Sequence, residues 1–317
     1  MDTGGQTGDL KIAVIGAGNV GAASAAIMAA RDLGRIYLYD VLEDLAIGKA
    51  MDLNHASPFF HHDARVTGTN AVADLAGADV VVVTAGSPRR TGMTREDLLG
   101  ENVEVCDAIC RDVLSDSPDA KVLIVTNPVD ILTTYLKDRR PEANVFGLGC
   151  TLDTVRLRFL IAEAAGAPVD SVDAMVIGTH SDRMIPLIRH ATVDGRPVRA
   201  VLSASEIERV VTATREAGHR IVSKLRNRGS FYAAAHCVSA IVAAIVRDTR
   251  EVFPLSVQCG GQYGHQGMCL ALPCVVGADG PGEVLEVDLD EQEQAALELC
   301  AADVQAAISK LGHCVRP

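Results

Sequence analysis

Four consecutive valines, 80–83, lie inside the run ADVVVVTAG (78–86). A strand with one face in water alternates apolar and polar side chains. An unbroken apolar run bounded by turn residues is therefore read as a strand buried on both faces. Such a strand needs a layer on each side of its sheet, and the flanking sequence supplies both. KIAVI (11–15), RIYLYD (35–40), KVLIVTN (121–127) and NVFGLG (144–149) are strand-like, and helical patterns at 18–33, 43–53, 95–114 and 129–140 lie among them. Strand–helix alternation at this spacing predicts an α/β fold, a doubly wound parallel sheet with helices on both faces.

The pattern changes near residue 150. A helix over 152–165 is followed by the strand VDAMVIG (172–178), a Pro/Gly-punctuated stretch, helices at 204–226 and 231–247, a strand-like, turn-rich region at 251–288, and a last helix at 290–311. This second half reads as α+β. We expect a disordered tail over 1–10, one domain over 11–150 and a second over 151–317. A chain of 317 residues suits about two domains at roughly 150 residues each.

Composition excludes several classes of function. With 29 basic and 41 acidic residues the net charge is −12, which argues against nucleic acid or an anionic membrane held by bulk charge. Aromatics are 3% with no Trp, too few for base-stacking platforms. The nine cysteines form no C-x-x-C, so neither a disulfide framework nor a zinc knuckle is expected, and a reducing compartment is. His61-His62-Asp63 lacks a third well-spaced ligand and reads as a polar loop, so no metal is expected. The apolar stretch 12–30 superficially resembles a signal core or membrane span. Gly16, Gly18, Asn19 and Gly21 interrupt it, and Asp2 and Asp9 precede it against the single Lys11, where a signal wants net positive charge, so a cytoplasmic protein is expected.

Gly16-Ala17-Gly18-Asn19-Val20-Gly21 is a G-x-G-x-x-G between a predicted strand and a predicted helix. The first glycine permits the tight turn, the second lets a pyrophosphate approach the backbone, and the third lets helix and strand pack closely. Asp40 ends the next strand, 19 positions after Gly21. A carboxylate there binds ribose hydroxyls and repels a 2′-phosphate, so NAD is expected over NADP.

Further on, SPRRTGMTR (87–95) holds Arg89, Arg90 and Arg95 with no acid, directly after the buried strand, where open α/β sheets place ligands. Taken alone it is equally a solvated basic loop. LDTVR (152–156) sets Asp153 and Arg156 three apart on one helix face, which alone is an ordinary ion pair. GTHSD (178–182) follows a strand, and His180 in isolation is a structural or surface histidine.

Taken together, GAGNVG (16–21), Asp40, TAGSPRRTGMTR (84–95), TNPVD (126–130), GLGCTLDTVR (147–156), GTHSD (178–182), RGSFY (228–232) and GGQYG (260–264) resemble the malate/lactate dehydrogenase family, and within it the lactate-dehydrogenase-like malate dehydrogenases. The resemblance spans 11–311 in order. It implies an NAD-dependent oxidoreductase acting on a 2-hydroxy acid, with His180 as general acid/base, Asp153 holding its other ring nitrogen, Arg95 polarising the carbonyl and Arg156 gripping the 1-carboxylate. Asn127 would hydrogen-bond the substrate. Gly16, Gly18, Asn19, Val20, Gly21, Asp40, Thr84, Ala85, Gly86, Asn102, Val125, Thr126 and Asn127 would bind NAD. Arg89 stands where lactate dehydrogenases typically carry Gln, which implies a second substrate carboxylate and hence malate/oxaloacetate. Lactate or another 2-hydroxy acid is the alternative substrate, and a non-catalytic NAD-binding module is a remote one. A homodimer or homotetramer is implied. The sequence departs from the family at Ser181, usually Gly, and at Thr91, commonly Pro. It is one residue short around 229–234, leaving Ser230 as the only candidate there to flank the substrate.

Overall fold

The computed structural model describes residues 10–60, 62, 63, 65–87, 95–225 and 229–314. The expected tail thus lies almost wholly outside the described residues. β1 (Lys11–Ile15), α1 (Asn19–Ala30), β2 (Arg35–Tyr39), α2 (Leu45–His55), β3 (Val66–Thr69), β4 (Val80–Val83), α3 (Arg95–Asp116), β5 (Lys121–Ile124), α4 (Val129–Arg139) and β6 (Val145–Gly147) follow in chain order. Their strands pair in parallel in the order β3-β2-β1-β4-β5-β6. All four valines of β4 are buried, as a strand covered on both faces requires.

The stretch 12–30 divides at Gly16 into a strand and a helix. No helix among the described residues is long and apolar enough to cross a membrane. Strand β3 was not anticipated from sequence. It is four residues, VTGT, with only Val66 and Thr69 buried. Its Gly68 marks where α2 crosses: a Cβ there would meet Ala46 O at 2.3 Å and Ile47 Cα at 2.4 Å.

The second half comprises α5 (Thr151–Ala165), β7 (Val172–Asp173), β8 (Val176–Ile177), β9 (Ile185–Pro186), β10 (Thr192–Val193), β11 (Arg196–Pro197), α6 (Ala204–Lys224), α7 (Tyr232–Arg247), β12 (Glu251–Gly260), β13 (Gln266–Gly277), β14 (Gly280–Val284) and α8 (Glu291–Cys314). VDAMVIG is two strands in two small sheets rather than one. The break has a local cause. Ala174 O accepts from Arg158 Nε at 2.9 Å and Val176 N–H donates to Thr154 Oγ1 at 2.9 Å, so α5 takes the hydrogen bonds a continuous ladder would use.

The parallel sheet does not stop near residue 150. β12 pairs antiparallel with β6 at Ser256↔Gly147, and β13 and β14 extend the edge, giving one nine-stranded sheet. A second, smaller core of Cys150, Leu157, Ile161, Val176, Ile188 and Val210 lies beneath α5 and α6. Helix α6 begins with a reciprocal cap, Ser203 Oγ accepting from Glu206 N–H and the Glu206 side chain accepting from Ser203 N–H. These elements bring the first turn of α1, the ends of β5 and β6, the first turns of α5 and the turn after β8 to one cavity.

Candidate active site

The glycine turn is built as its spacing predicts. Gly16 has φ +101°, a conformation that strains a side-chain-bearing residue, and its N–H donates to Tyr39 O at 2.8 Å. A Cβ on Gly21 would lie 1.8 Å from Gly16 O, so only glycine lets α1 pack this close to the turn. Above Gly18, by contrast, a Cβ would meet nothing within 4 Å. Gly18 caps α1 without a side-chain hydrogen bond, so the first-turn N–H groups of the helix face open space. Asp40 Oδ2 accepts from Ala17 N–H at 2.7 Å and Oδ1 from Leu42 N–H at 3.0 Å, which fixes the carboxylate beside the turn. Thr84 Oγ1 donates at 3.1 and 3.0 Å to Ile15 O and Gly16 O, tying the end of β4 to the same turn. Open room above Gly18, uncapped N–H groups and a placed carboxylate fit a dinucleotide.

Asn102, expected on the nicotinamide side, is held in place from both ends of its amide. Its Oδ1 accepts from Ser87 N–H at 2.7 Å and its Nδ2 donates to Asn127 O at 2.8 Å, so this buried amide braces the ends of β4 and β5 against each other. Thr126 Oγ1 donates to Ala85 O at 2.6 Å and strengthens the same brace.

Opposite this cradle, His180 follows Gly178 (φ +96°) and Thr179 in the turn after β8. Its Nδ1 lies 2.5 Å from Asp153 Oδ2. Asp153 is fully buried in the first turn of α5, and its Oδ1 accepts from Arg156 Nη1 at 3.2 Å. Burial works against a charged imidazole, but the charge and hydrogen bond of Asp153 outweigh it and hold the His180 pKa above its usual value. Arg156 Nη2 donates to Ser230 Oγ at 3.4 Å, while its Nε is buried without a partner. Of the sequence departures, Thr91 lies outside the described residues and the other two are accommodated. Ser181 Oγ bonds Thr179 Oγ1 at 2.9 Å and accepts from Arg183 N–H at 3.2 Å, which closes the turn beside His180. Ser230, the candidate from the shortened segment, sits against Arg156.

Val20, Val125, Asn127, Asp153, Arg156 and His180 share one cavity of about 360 Å³. Sequence reasoning missed Arg215 and His219 on α6, which line the same space. Their only sequence signal is the spacing of four that puts them on one helix face. Arg89 lies outside the described residues, and so does the side chain of Arg95, the first residue of α3. Among the described residues no three potential metal ligands come together. The eight cysteines from Cys106 to Cys300 are unpaired and buried.

A model of the lactate/malate dehydrogenase NAD-binding domain matches residues 10–147, and one of the lactate/malate dehydrogenase α/β C-terminal domain matches 150–315. The chain belongs to the lactate/malate dehydrogenase family. As a member it is an NAD-dependent oxidoreductase of 2-hydroxy acids. The malate dehydrogenase of Roseiflexus sp. (strain RS-1) is 38% identical over 307 residues, covering 95% of this chain and 98% of that one. The malate dehydrogenase of Desulforudis audaxviator is 36% identical over 303 residues, with the same coverage. Among solved structures, malate dehydrogenase from Salinibacter ruber superposes with a TM-score of 0.91 at 35% identity, covering 96% of this chain and 98% of that one. Family resemblance in fold crosses the substrate boundary. Lactate dehydrogenase from Cryptosporidium parvum, complexed with lactic acid and the dinucleotide, superposes at 0.92 with 31% identity, covering 96% and 98%.

Proposed function

We propose that this chain interconverts malate and oxaloacetate with NAD(H), residues 11–150 holding the cofactor and 151–317 the substrate. The observation that carries this reading is the hydrogen-bonded line His180–Asp153–Arg156, anchored on the buried Asp153, which shares one cavity with Val20 of the glycine cradle. When bound, NAD(H) exchanges a hydride with C2 of the substrate. The rest of the chemistry belongs to the chain. His180 gives a proton from Nε2 to the ketone oxygen during reduction and takes it back during oxidation, with Asp153 fixing the tautomer from Nδ1. Arg156, in the wall of the cavity, holds the 1-carboxylate. Arg95 stabilises charge developing on the carbonyl oxygen, and Asn127 hydrogen-bonds the substrate. Arg89 pairs with the second carboxylate and selects the four-carbon diacid. Gly16, Gly18, Asn19, Val20 and Gly21 receive the pyrophosphate, Asp40 the ribose, and Thr84, Ala85, Gly86, Asn102, Val125, Thr126 and Asn127 the nicotinamide half.

The deciding experiment is NADH oxidation with oxaloacetate, pyruvate and 2-oxoisocaproate in parallel, repeated with NADPH. Oxaloacetate should be reduced at least on the order of 10²-fold more efficiently than pyruvate, and NADH should be clearly preferred. Equal rates with pyruvate would move the assignment to a lactate-type enzyme, and equal rates with NADPH would remove Asp40 from ribose selection.

A cytoplasmic homodimer or homotetramer accords with this reading. Val41, Leu42, Met51 and Phe59 at and beside α2, with Phe159 and Tyr232 on α5 and α7, are large exposed apolar side chains in one chain. Sedimentation should give twice or four times the chain mass. A monomer at micromolar concentration would overturn the assembly.

A further inference from the structure

Helix α6 lays one face on the catalytic cavity, and no step of the reaction above uses it. Arg215, Gly218, His219 and Val222 all line the cavity. Their spacing of three and four residues puts them on one side of the helix. Gly218 sits where α6 passes close to Arg156: a Cβ there would lie 3.7 and 3.9 Å from Nη1 and Nη2 of that guanidinium. Arg215 is about one turn before it. Its Nη2 donates to Met184 O at 3.4 Å, a long contact with the far end of the turn that carries His180. Among the described residues Arg215 has no carboxylate partner. Elsewhere this acid-rich chain pairs its arginines, Arg158 with Asp173, Arg183 with Asp303 and Arg189 with Asp288. The acids lining the cavity are Asp153 and Asp182, and the arginines are Arg156 and Arg215. Arg156 already shares its charge with Asp153. A 2-oxo diacid brings two more carboxylates into this space. Arg156 takes one. Without Arg215, the other would meet Asp182 with no described arginine to offset it.

We propose that Arg215 is a specificity-determining residue, its guanidinium holding the distal carboxylate of the diacid from the α6 side of the cavity. The proposal rests on the malate/oxaloacetate reading and adds a second cation to the contact assigned to Arg89. The planar fork suits the task, because two N–H groups of a guanidinium match the two oxygens of a carboxylate, and the contact with Met184 O engages only Nη2. The cofactor pyrophosphate is the other anion near this wall. Arg215 is set on the substrate side instead, by its bond to the His180 turn and by its neighbour Gly218 lying on Arg156. The distal carboxylate keeps its charge throughout the reaction. Arg215 therefore binds ground state and transition state alike, and its effect belongs to KM rather than kcat. Pyruvate has no group for this contact and gains nothing from it.

Arg215→Gln and Arg215→Lys test this, each assayed with oxaloacetate, pyruvate and NADH as the varied substrate. Arg215 is exposed on α6, so neither change disturbs a packed core. Arg215→Gln should lower kcat/KM for oxaloacetate roughly 10–100-fold, chiefly through KM, and leave pyruvate within about threefold of wild type. KM for NADH should not move. Arg215→Lys keeps the charge without the fork and should fall between Arg215→Gln and wild type. An equal loss on both keto acids would mark a structural role. A rise confined to KM for NADH would give the guanidinium to the cofactor. Unchanged oxaloacetate kinetics would leave it outside recognition, and an Arg215→Lys no better than Arg215→Gln would remove its charge from the explanation. Each of these results overturns the proposal. The wild-type assay separates it from the reading beneath. No preference of wild type for oxaloacetate would sink the malate reading, whereas a full preference kept by Arg215→Gln would sink only this inference.

Discussion

His180→Asn is expected to lose turnover by roughly 10²–10⁴-fold while binding NADH as tightly as wild type. Asparagine can keep a hydrogen bond to Asp153, but it carries no transferable proton at either ring-nitrogen position. The cradle that receives the cofactor is made by Gly16–Gly21 and Asp40 at the ends of β1 and β2, and none of its hydrogen bonds involves His180. Binding and chemistry therefore separate in this variant. Fluorescence titration with NADH measures the first and steady-state reduction of oxaloacetate the second. The pH dependence gives a sharper check. Because Asp153 holds the His180 pKa above its ordinary value, the imidazole keeps its proton to higher pH than a free histidine does. Reduction, which consumes that proton, should decline as pH rises through the raised pKa, and oxidation of malate should increase over the same range. His180→Asn should lack both limbs. A variant within tenfold of wild-type turnover would remove His180 from proton transfer.

Arg89→Gln is expected to move preference from oxaloacetate toward pyruvate by on the order of 10²–10³-fold in the ratio of kcat/KM. A guanidinium paired with the distal carboxylate makes a charge-assisted contact that pyruvate cannot supply, and with pyruvate the cation is left desolvated and unpaired. Glutamine removes both the attraction and the penalty. The 1-carboxylate still finds Arg156, so activity on a monoacid should survive the change. The measurement is paired saturation curves for the two keto acids. If Arg89→Gln keeps the full oxaloacetate selectivity, another cation sets it, and Arg215 and His219 in the cavity wall become the groups to vary.

The parts of the site legible in the sequence are those whose meaning is local. Gly16 and Gly21 declare a turn that only glycine can make, Asp40 follows at the spacing of one strand, and Asp153 and Arg156 share a helix face by arithmetic. The long buried strand β4 is legible because four valines have no other economical use. What sequence reasoning missed depends on contacts between distant segments. Arg215 enters through the packing of α6 over the cavity, where it donates to Met184 O. Asp130 accepts the backbone N–H of a residue fifty positions later, His180. The bracing role of Asn102 is likewise invisible in the sequence, because its amide joins Ser87 to Asn127, fifteen and twenty-five positions away. Strand β3 is too short and polar to announce itself, and VDAMVIG breaks because Arg158 and Thr154 capture its backbone groups.

The pairing of Ser256 with Gly147 carries a mechanical consequence. Many two-part enzymes swing their halves about a hinge, so the gap between cofactor and substrate groups varies with the angle. Here the halves share one sheet, and β6 and β12 are neighbouring planks of the same deck. Opening the molecule at that joint would shear backbone hydrogen bonds and tear Ser256 from the glycine beside it, where a Cβ has no room. The distance from the glycine cradle to His180 is thus fixed once, when the chain folds, and every catalytic cycle inherits it.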